Sequence, residues 1–312
     1  MIHFTKQKRL ISMVLSMMVL VLAPRWTEAS DRFKVDHPMM PPSTAFSGQC
    51  PVCGMHRSMW ARTWIHFDEM DGVSEVCSFH CLADLSIKSD MIPSGVRLAV
   101  YHAPETLVAA NKASIVIGSS ASGTMSPESK IVFASVQDAE AFIPLFGGKI
   151  TSFGVALHVA RAGVTRENAM LVKKRLRKGK IIEPAAAARC RVCDMYPSRY
   201  PKHKCQIQTR NGQIFHFCST QCLFTFLENP KQYAAPGLES VLIWVTDFQS
   251  GKWIGARCAY YVTRATQVYG PMGFEAFPFD KKKDAQSFVN KHGGGILLYR
   301  EVTREQIFPS RE

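Results

Sequence analysis

Eight of the ten cysteines fall into two matching quartets. "CPVCGM" at 50–55 is followed by "CSFHC" at 77–81, and "CRVCDM" at 190–195 by "CSTQC" at 218–222. A C-x2-C pair lets two thiolates converge on one ion from a tight turn. A C-x3-C pair on a helix places two more on one face, a turn apart. A hairpin between the pairs would fold one onto the other, the geometry of a treble-clef-like zinc site. The competing chemistry is oxidative: in an exported chain an even cysteine count first suggests disulfides, and C-x-x-C can serve thiol–disulfide exchange. The twofold recurrence of the spacing favours metal.

The ligand set points to more than one metal. Four thiolates, Cys50, Cys53, Cys77 and Cys81 or Cys190, Cys193, Cys218 and Cys222, suit a closed Zn²⁺ site. Met55 and Met195, however, each follow the second cysteine by two residues. Met125 in "GTMSP" and Met272 in "GPMGF" recur further on, in Gly-flanked turns. Thioethers are poor zinc ligands and good Cu(I) ligands, although a methionine is also a common core filler. Both readings stay open from spacing alone. His56, His80 and His216 lie near the cysteines and read as packed or solvated histidines.

These residues need elements to hold them, and the chain supplies the elements twice. Cys50 and Cys190 are 140 residues apart, and Cys77 and Cys218 are 141 apart. "AEAFIPLFGGKITSF" at 139–153 matches "AQSFVNKHGGGILLY" at 285–299. The repeat predicts a duplicated α+β domain over 46–160 and 186–304, each copy a treble-clef-like ββα half followed by a second ββα half. In the second copy, 204–218 reads as a hairpin turning on the two residues Asn211-Gly212. A helix follows from Ser219 to before Pro230. Strands are expected at 239–248 and 253–263, then a helix ending at Gly293. Residues 161–185 form a basic linker with a helix at 165–178, N-capped by Thr165. Residues 30–45 read as a Pro-rich extended linker and 305–312 as a tail.

The first 29 residues read as an export signal: Lys6, Lys8 and Arg9, then the uncharged run "LISMVLSMMVLVLA", then small residues around Ala29. The run is short for a membrane span; an uncleaved anchor is the alternative, and would be the chain's one membrane contact. Removing this segment takes the formal charge from +13 to +10. That basic surface suits an acidic protein partner; no nucleic-acid motif accompanies it. There is no G-x-S-x-G signature and no P-loop, so the chain reads as a binding protein and not an enzyme.

The stretch 190–233 resembles YHS/TRASH-type metal-binding modules, with its C-x2-C-x-M, "FCS", second cysteine and Asn-Pro-x-x-Tyr. The stretch 251–299 resembles the C-terminal half of the NosL family in "WIGAR", the Tyr-rich strand, "GPMG" and the Gly-Gly after the helix. The resemblance implies a periplasmic copper(I)-binding accessory protein, a metallochaperone for nitrous oxide reductase maturation. It makes Cys190, Cys193, Met195 and Met272 the Cu(I) candidates of the second copy, and Cys50, Cys53, Met55 and Met125 those of the first. It implies as partner an acceptor copper protein or copper-export machinery. This chain departs from the family in having two copies, in keeping the C-x3-C pairs, in lacking a lipid-anchor cysteine after the apolar run, and in Asp194 replacing the glycine of C-G-M. Cys205 and Cys258 occur in the second copy only, and their state is open. The chemical alternatives to copper carriage are a structural zinc-binding interaction protein and a thiol–disulfide oxidoreductase.

Overall fold

The computed structural model describes residues 33, 38–69, 72–91, 93–233 and 240–308. The expected export signal lies outside the described residues, as does most of the segment 30–37. Among the described residues no helix is long and apolar enough to cross a membrane.

The first repeat opens with a cysteine turn and a one-turn helix, α1 (Arg57–Trp60). An antiparallel hairpin of β1 (Ile65–Glu69) and β2 (Gly72–Val76) leads to α2 (Phe79–Lys88). Next come β3 (Ser94–Val100), β4 (Ala103–Ala109), β5 (Ser114–Ile117), β6 (Lys130–Phe133), α3 (Val136–Phe146) and β7 (Lys149–Thr151). The long α4 (Phe153–Arg177) connects to the second repeat. There the order returns: β8 (Cys205–Thr209), β9 (Ile214–Phe217), α5 (Thr220–Glu228), β10 (Ser240–Thr246), β11 (Trp253–Gly255), β12 (Tyr260–Thr263), β13 (Phe277–Phe279), α6 (Lys282–His292) and β14 (Gly295–Leu298). A final turn, α7 (Arg304–Ile307), closes the chain in the region expected as a tail.

Both repeats are mixed α and β, but their strands are not sorted into two separate ββα halves. Each forms a four-stranded antiparallel sheet, ordered β2-β1-β3-β4 and β9-β8-β10-β11, and a three-stranded one, ordered β6-β5-β7 and β13-β12-β14. The hairpin expected to open the second half therefore joins the sheet of the first. The pairing β1–β3, with Ile65 opposite Leu98, bridges some thirty residues that local pattern cannot connect.

Three local expectations are corrected. The 204–218 hairpin turns on three residues, because Thr209 N bonds Gln213 O and Gly212 takes a left-handed φ of +85°. That is the three-residue loop with its glycine in the positive-φ position, not a two-residue turn. The strand expected over 253–263 is broken by a 3-10 turn, Ala256–Cys258, which moves the chain from the larger sheet to the smaller. The linker helix starts at Phe153, capped by Ser152 and not Thr165.

The helix α4 ties the repeats together. Its small buried residues Ala156, Ala160 and Val164 recur at i, i+4 and i+8 and pack into the core formed by Trp64, Phe67, Leu82 and Leu98. Further along, Val172 packs on Trp244 and Trp253 of the second repeat. Apolar burial on opposite repeats by one continuous helix fixes their relation.

Candidate metal centre

Each cysteine quartet sits at the edge of its repeat's main core. The first pair lies on a tight turn: Gly54 N bonds Cys50 O at 2.8 Å and Cys50 N bonds Met55 O at 2.9 Å. The second copy reproduces it, with Asp194 N to Cys190 O at 3.0 Å and Cys190 N to Met195 O at 2.7 Å. The turn requires a positive φ at the position after the second cysteine, +77° at Gly54 and +64° at Asp194. The backbone carbonyl of Met55 or Met195 therefore closes the loop whatever its sulfur does.

The second pair comes from a hairpin end and the first turn of a helix. Ser78 and Ser219 cap α2 and α5 by accepting from Cys81 N (3.4 Å) and Cys222 N (3.2 Å). Their helix N-termini favour negative charge at the sulfurs beside them. In both copies the four Sγ atoms lie within 4.8 Å of one another. Cys53 and Cys77 sulfurs are 3.4 Å apart, Cys77 and Cys81 3.5 Å, Cys193 and Cys218 3.4 Å, and Cys218 and Cys222 3.8 Å. Four sulfurs bound at about 2.3 Å to one tetrahedral ion would be about 3.8 Å apart. A disulfide requires about 2.05 Å, and all ten cysteines are free thiols.

The quartets distribute protons unevenly. Hydrogen bonds from Cys218 and Cys222 hold the Cys190 thiol down to about 2, and the Cys222 and Cys218 thiols are pushed up by serving that anion. At Cys50 burial opposes ionisation, but S–H donation from Cys53, Cys77 and Cys81 prevails and its pKa lies well below the usual value. Burial raises Cys77, and the bond to Cys50 raises Cys81. Each repeat thus holds one thiolate among S–H donors whose protons a soft cation would displace.

The methionines are placed differently. Met55 and Met125 both pack, partly buried, on the core that contains the first quartet, and Met195 does so beside the second. Met125 is held at φ +63°, a conformation unusual for its residue type. Met272 is 39% exposed at the tip of a two-residue turn closed by reciprocal bonds between Gly270 and Gly273. Of the histidines, His80 is buried, with Nδ1 2.6 Å from Glu167 Oε2 and Nε2 3.0 Å from Asn168 Oδ1. His56 and His216 pack beside the cysteine turns and, like His80, lie outside both clusters.

Sequence reading did not single out the residues that join cysteine helix to methionine turn. In the first repeat Glu167 receives both His80 and Ser126, the latter at 2.6 Å and next to Met125. In the second, the buried Glu275 accepts from Thr220 N (3.0 Å) and lies 2.7 Å from His203 Nδ1. The signal available was the carboxylate two or three residues from the Gly-Met turn or inside a basic helix, both out of register with any pattern.

The sequence profile of the NosL family matches residues 43–156 and again 181–307. The chain belongs to the NosL family. It carries the NosL unit twice. It is 26% identical, over 122 residues, to the copper-binding lipoprotein NosL of Achromobacter cycloclastes, covering 36% of this chain and 61% of that protein's length. Among solved structures it is similar to the copper chaperone NosL of Shewanella denitrificans (28% identity, TM-score 0.36, 40% of this chain and 97% of that one). It is also similar to apo-NosL of Achromobacter cycloclastes (25% identity, TM-score 0.28, 35% and 91%).

Proposed function

We propose that this tandem NosL protein is an exported copper(I) metallochaperone, not an enzyme. It would carry Cu(I) at thiolate–thioether sites and pass it by ligand exchange to an acceptor copper protein or copper-handling machinery, in maturation of a nitrous-oxide-reductase-type enzyme. The observation that supports this best is the gathering, twice, of four sulfurs within 4.8 Å beside a partly buried methionine. Soft sulfur donors in that number select soft ions, and the names of the relatives speak of copper. The proposed ligands are Cys50, Cys53, Met55 and Met125 in the first repeat and Cys190, Cys193, Met195 and Met272 in the second, with Cys77, Cys81, Cys218 and Cys222 completing the quartets. Exposure of Met272, flanked by Tyr269 at 58% and Phe274 at 40%, gives the second site a face on which an acceptor's ligand can enter.

A structural zinc reading has its own support, since the sulfur separations suit a tetrahedral Zn²⁺ site with four thiolates. One titration separates the two. The anaerobically purified chain is titrated with Cu(I) against a chromophoric Cu(I) chelator and with Zn²⁺ against a zinc indicator. Copper carriage predicts about one Cu(I) per quartet, weakened by Met125→Leu and Met272→Leu while zinc affinity is unchanged. Equal loss of both metals, or no copper bound, overturns it.

A further inference from the structure

The two sites do not face alike, and the difference involves a cysteine from the wrong repeat. A cleft of about 720 Å³ runs between the repeats, and its wall includes Cys53, Met125 and Cys258. Cys258 belongs to the second repeat, yet its side chain packs on the core of the first, with Sγ 3.6 Å from Val52 O. Val52 is the residue before Cys53, the one partly exposed cysteine of the first quartet. The turn that delivers Cys258 is the break between β11 and β12. The matching position of the first repeat, two residues before β5, is the exposed Lys112. The second quartet therefore has no counterpart thiol in the duplicate.

The surroundings of this cleft fit a bound cation with anionic sulfur ligands. Two thiolates on Cu(I) carry one net negative charge. The half-buried Arg175 of α4 lies within electrostatic reach of Cys53, Cys258, Cys81 and Cys77, and is held over the Trp244 ring at 5.1 Å. Trp244, 3% exposed, lines the same cleft, and its Nε1 lacks a hydrogen-bond partner among the described residues. Cys258 is not a member of the quartet, whose four sulfurs already cluster without it. Its place is that of an entering ligand.

We propose that Cys258, with Cys53 and Met125, forms a second Cu(I)-binding position across the repeat interface, onto which copper moves from the first quartet before it leaves through the cleft. This rests on the copper reading above. The step is a ligand exchange without change of oxidation state. The Cys258 S–H proton goes to solvent as Sγ bonds Cu(I). The bonds from Cys50, Cys77, Cys81 and Met55 break while Cys53 and Met125 stay bound. The released cysteine sulfurs take up protons and the Met55 thioether is freed unchanged.

The test is alkylation with iodoacetamide, mapped by peptide mass spectrometry, on the reduced full-length chain without metal, with Cu(I) and with Zn²⁺. Alkylation needs the free thiolate, so a metal-bound sulfur reacts slowly. Copper is expected to slow labelling of Cys258 and of Cys53, the cysteine common to both positions, by about tenfold, whereas zinc protects the quartet and leaves Cys258 reacting as in the metal-free chain. Cys258 labelling at the metal-free rate while copper protects Cys50 and Cys53 overturns the proposal and spares the copper reading. Equal protection by zinc overturns it too, since that would be closure of the cleft and not ligation. If copper protects no quartet cysteine, both fall. As a second measurement, Cys258→Ser should slow Cu(I) release to a chelator about tenfold at unchanged copper content; an unchanged rate sinks the proposal even where labelling agrees.

Discussion

Gln221, the residue before Cys222, holds the turn that carries Met272. With its amide oriented to satisfy both ends, Gln221 Nε2 donates to Met272 O at 3.1 Å and Phe274 O at 3.0 Å. The corresponding residue of the first repeat is His80, before Cys81. It reaches its methionine turn indirectly, through Glu167 to Ser126, the neighbour of Met125. Both repeats therefore couple the cysteine helix to the methionine turn, by different residues.

Gln221→Ala should free the Met272 turn. Two hydrogen bonds at about 1 kcal/mol each set the scale, so the second site's Cu(I) affinity is expected to fall by about tenfold with zinc affinity unchanged. Competition titration of a Cys50→Ser/Cys53→Ser background, which isolates the second site, measures it. An unchanged copper affinity would mean that Met272 is no ligand or that its turn holds itself.

Glu167 makes stability depend on acid. Burial works against its ionisation, but hydrogen bonds from His80 and Ser126 and the charges of His80 and Lys130 hold its pKa below the usual carboxylate value. A group depressed in the folded state stabilises above its unfolded pKa of about 4.3, and that contribution is lost as pH falls through the folded value. Thermal melts of the chain should therefore fall steeply below about pH 4.3. Glu167→Gln should destabilise the chain at neutral pH by about 3 kcal/mol, the scale of a broken buried pair, and flatten the acid fall. Parallel acid curves for the two proteins would rule this account out.

Much of the metal centre was legible because it is local. Two residues between cysteines, a glycine after the second and a serine cap before the helix each act within one turn of chain. What escaped was set by partners far away. The start of α4 was misplaced because Gly163 and Thr165 look like a helix boundary. In the fold, Ala156, Ala160 and Val164 bury against α2 and its neighbours, and that burial carries the helix through Gly163. The Asn211-Gly212 pair suggested a two-residue turn, but Ile207 facing Phe215 and Cys205 facing Phe217 fix the register and leave three residues over. The place of Cys258 was invisible for the same reason. Its stretch reads as an unbroken strand, and only the assembly of two sheets and two repeats turns it toward Val52.

Asp194 stands where the first repeat has Gly54, both at positive φ. A side chain in that region costs about 1 kcal/mol, less for aspartate than for most. The compensating ion pair with Arg189, 3.4 Å and well exposed, is worth little. Asp194→Gly is therefore expected to stabilise the chain by about 0.5 kcal/mol, and Gly54→Ala to destabilise it by about 1 kcal/mol. Denaturant melts with zinc bound read both. If Asp194→Gly destabilises, the Arg189 contact matters more than its exposure suggests.

Lys88 secures the seam between the repeats. Its Nζ sits 2.8 and 2.7 Å from the two oxygens of Asp84, with the carboxylate 2% and the ammonium 10% exposed. Burial favours the neutral amine, yet Cys258 and Asp84 outweigh it and raise the lysine pKa, with Tyr260 of the second repeat contributing. Lys88→Met leaves a buried carboxylate unpaired, which costs about 3–5 kcal/mol. Asp84→Asn in the same chain removes the stranded charge and should recover most of that loss, a coupling that a double-mutant cycle reports directly. Because Asp280 of the second repeat feels the same ammonium, the single variant should also loosen the seam and speed amide hydrogen exchange at Tyr260 and Tyr261. A large loss of stability with that exchange no faster than before would place the damage inside the first repeat and leave the seam to α4 and its tryptophans.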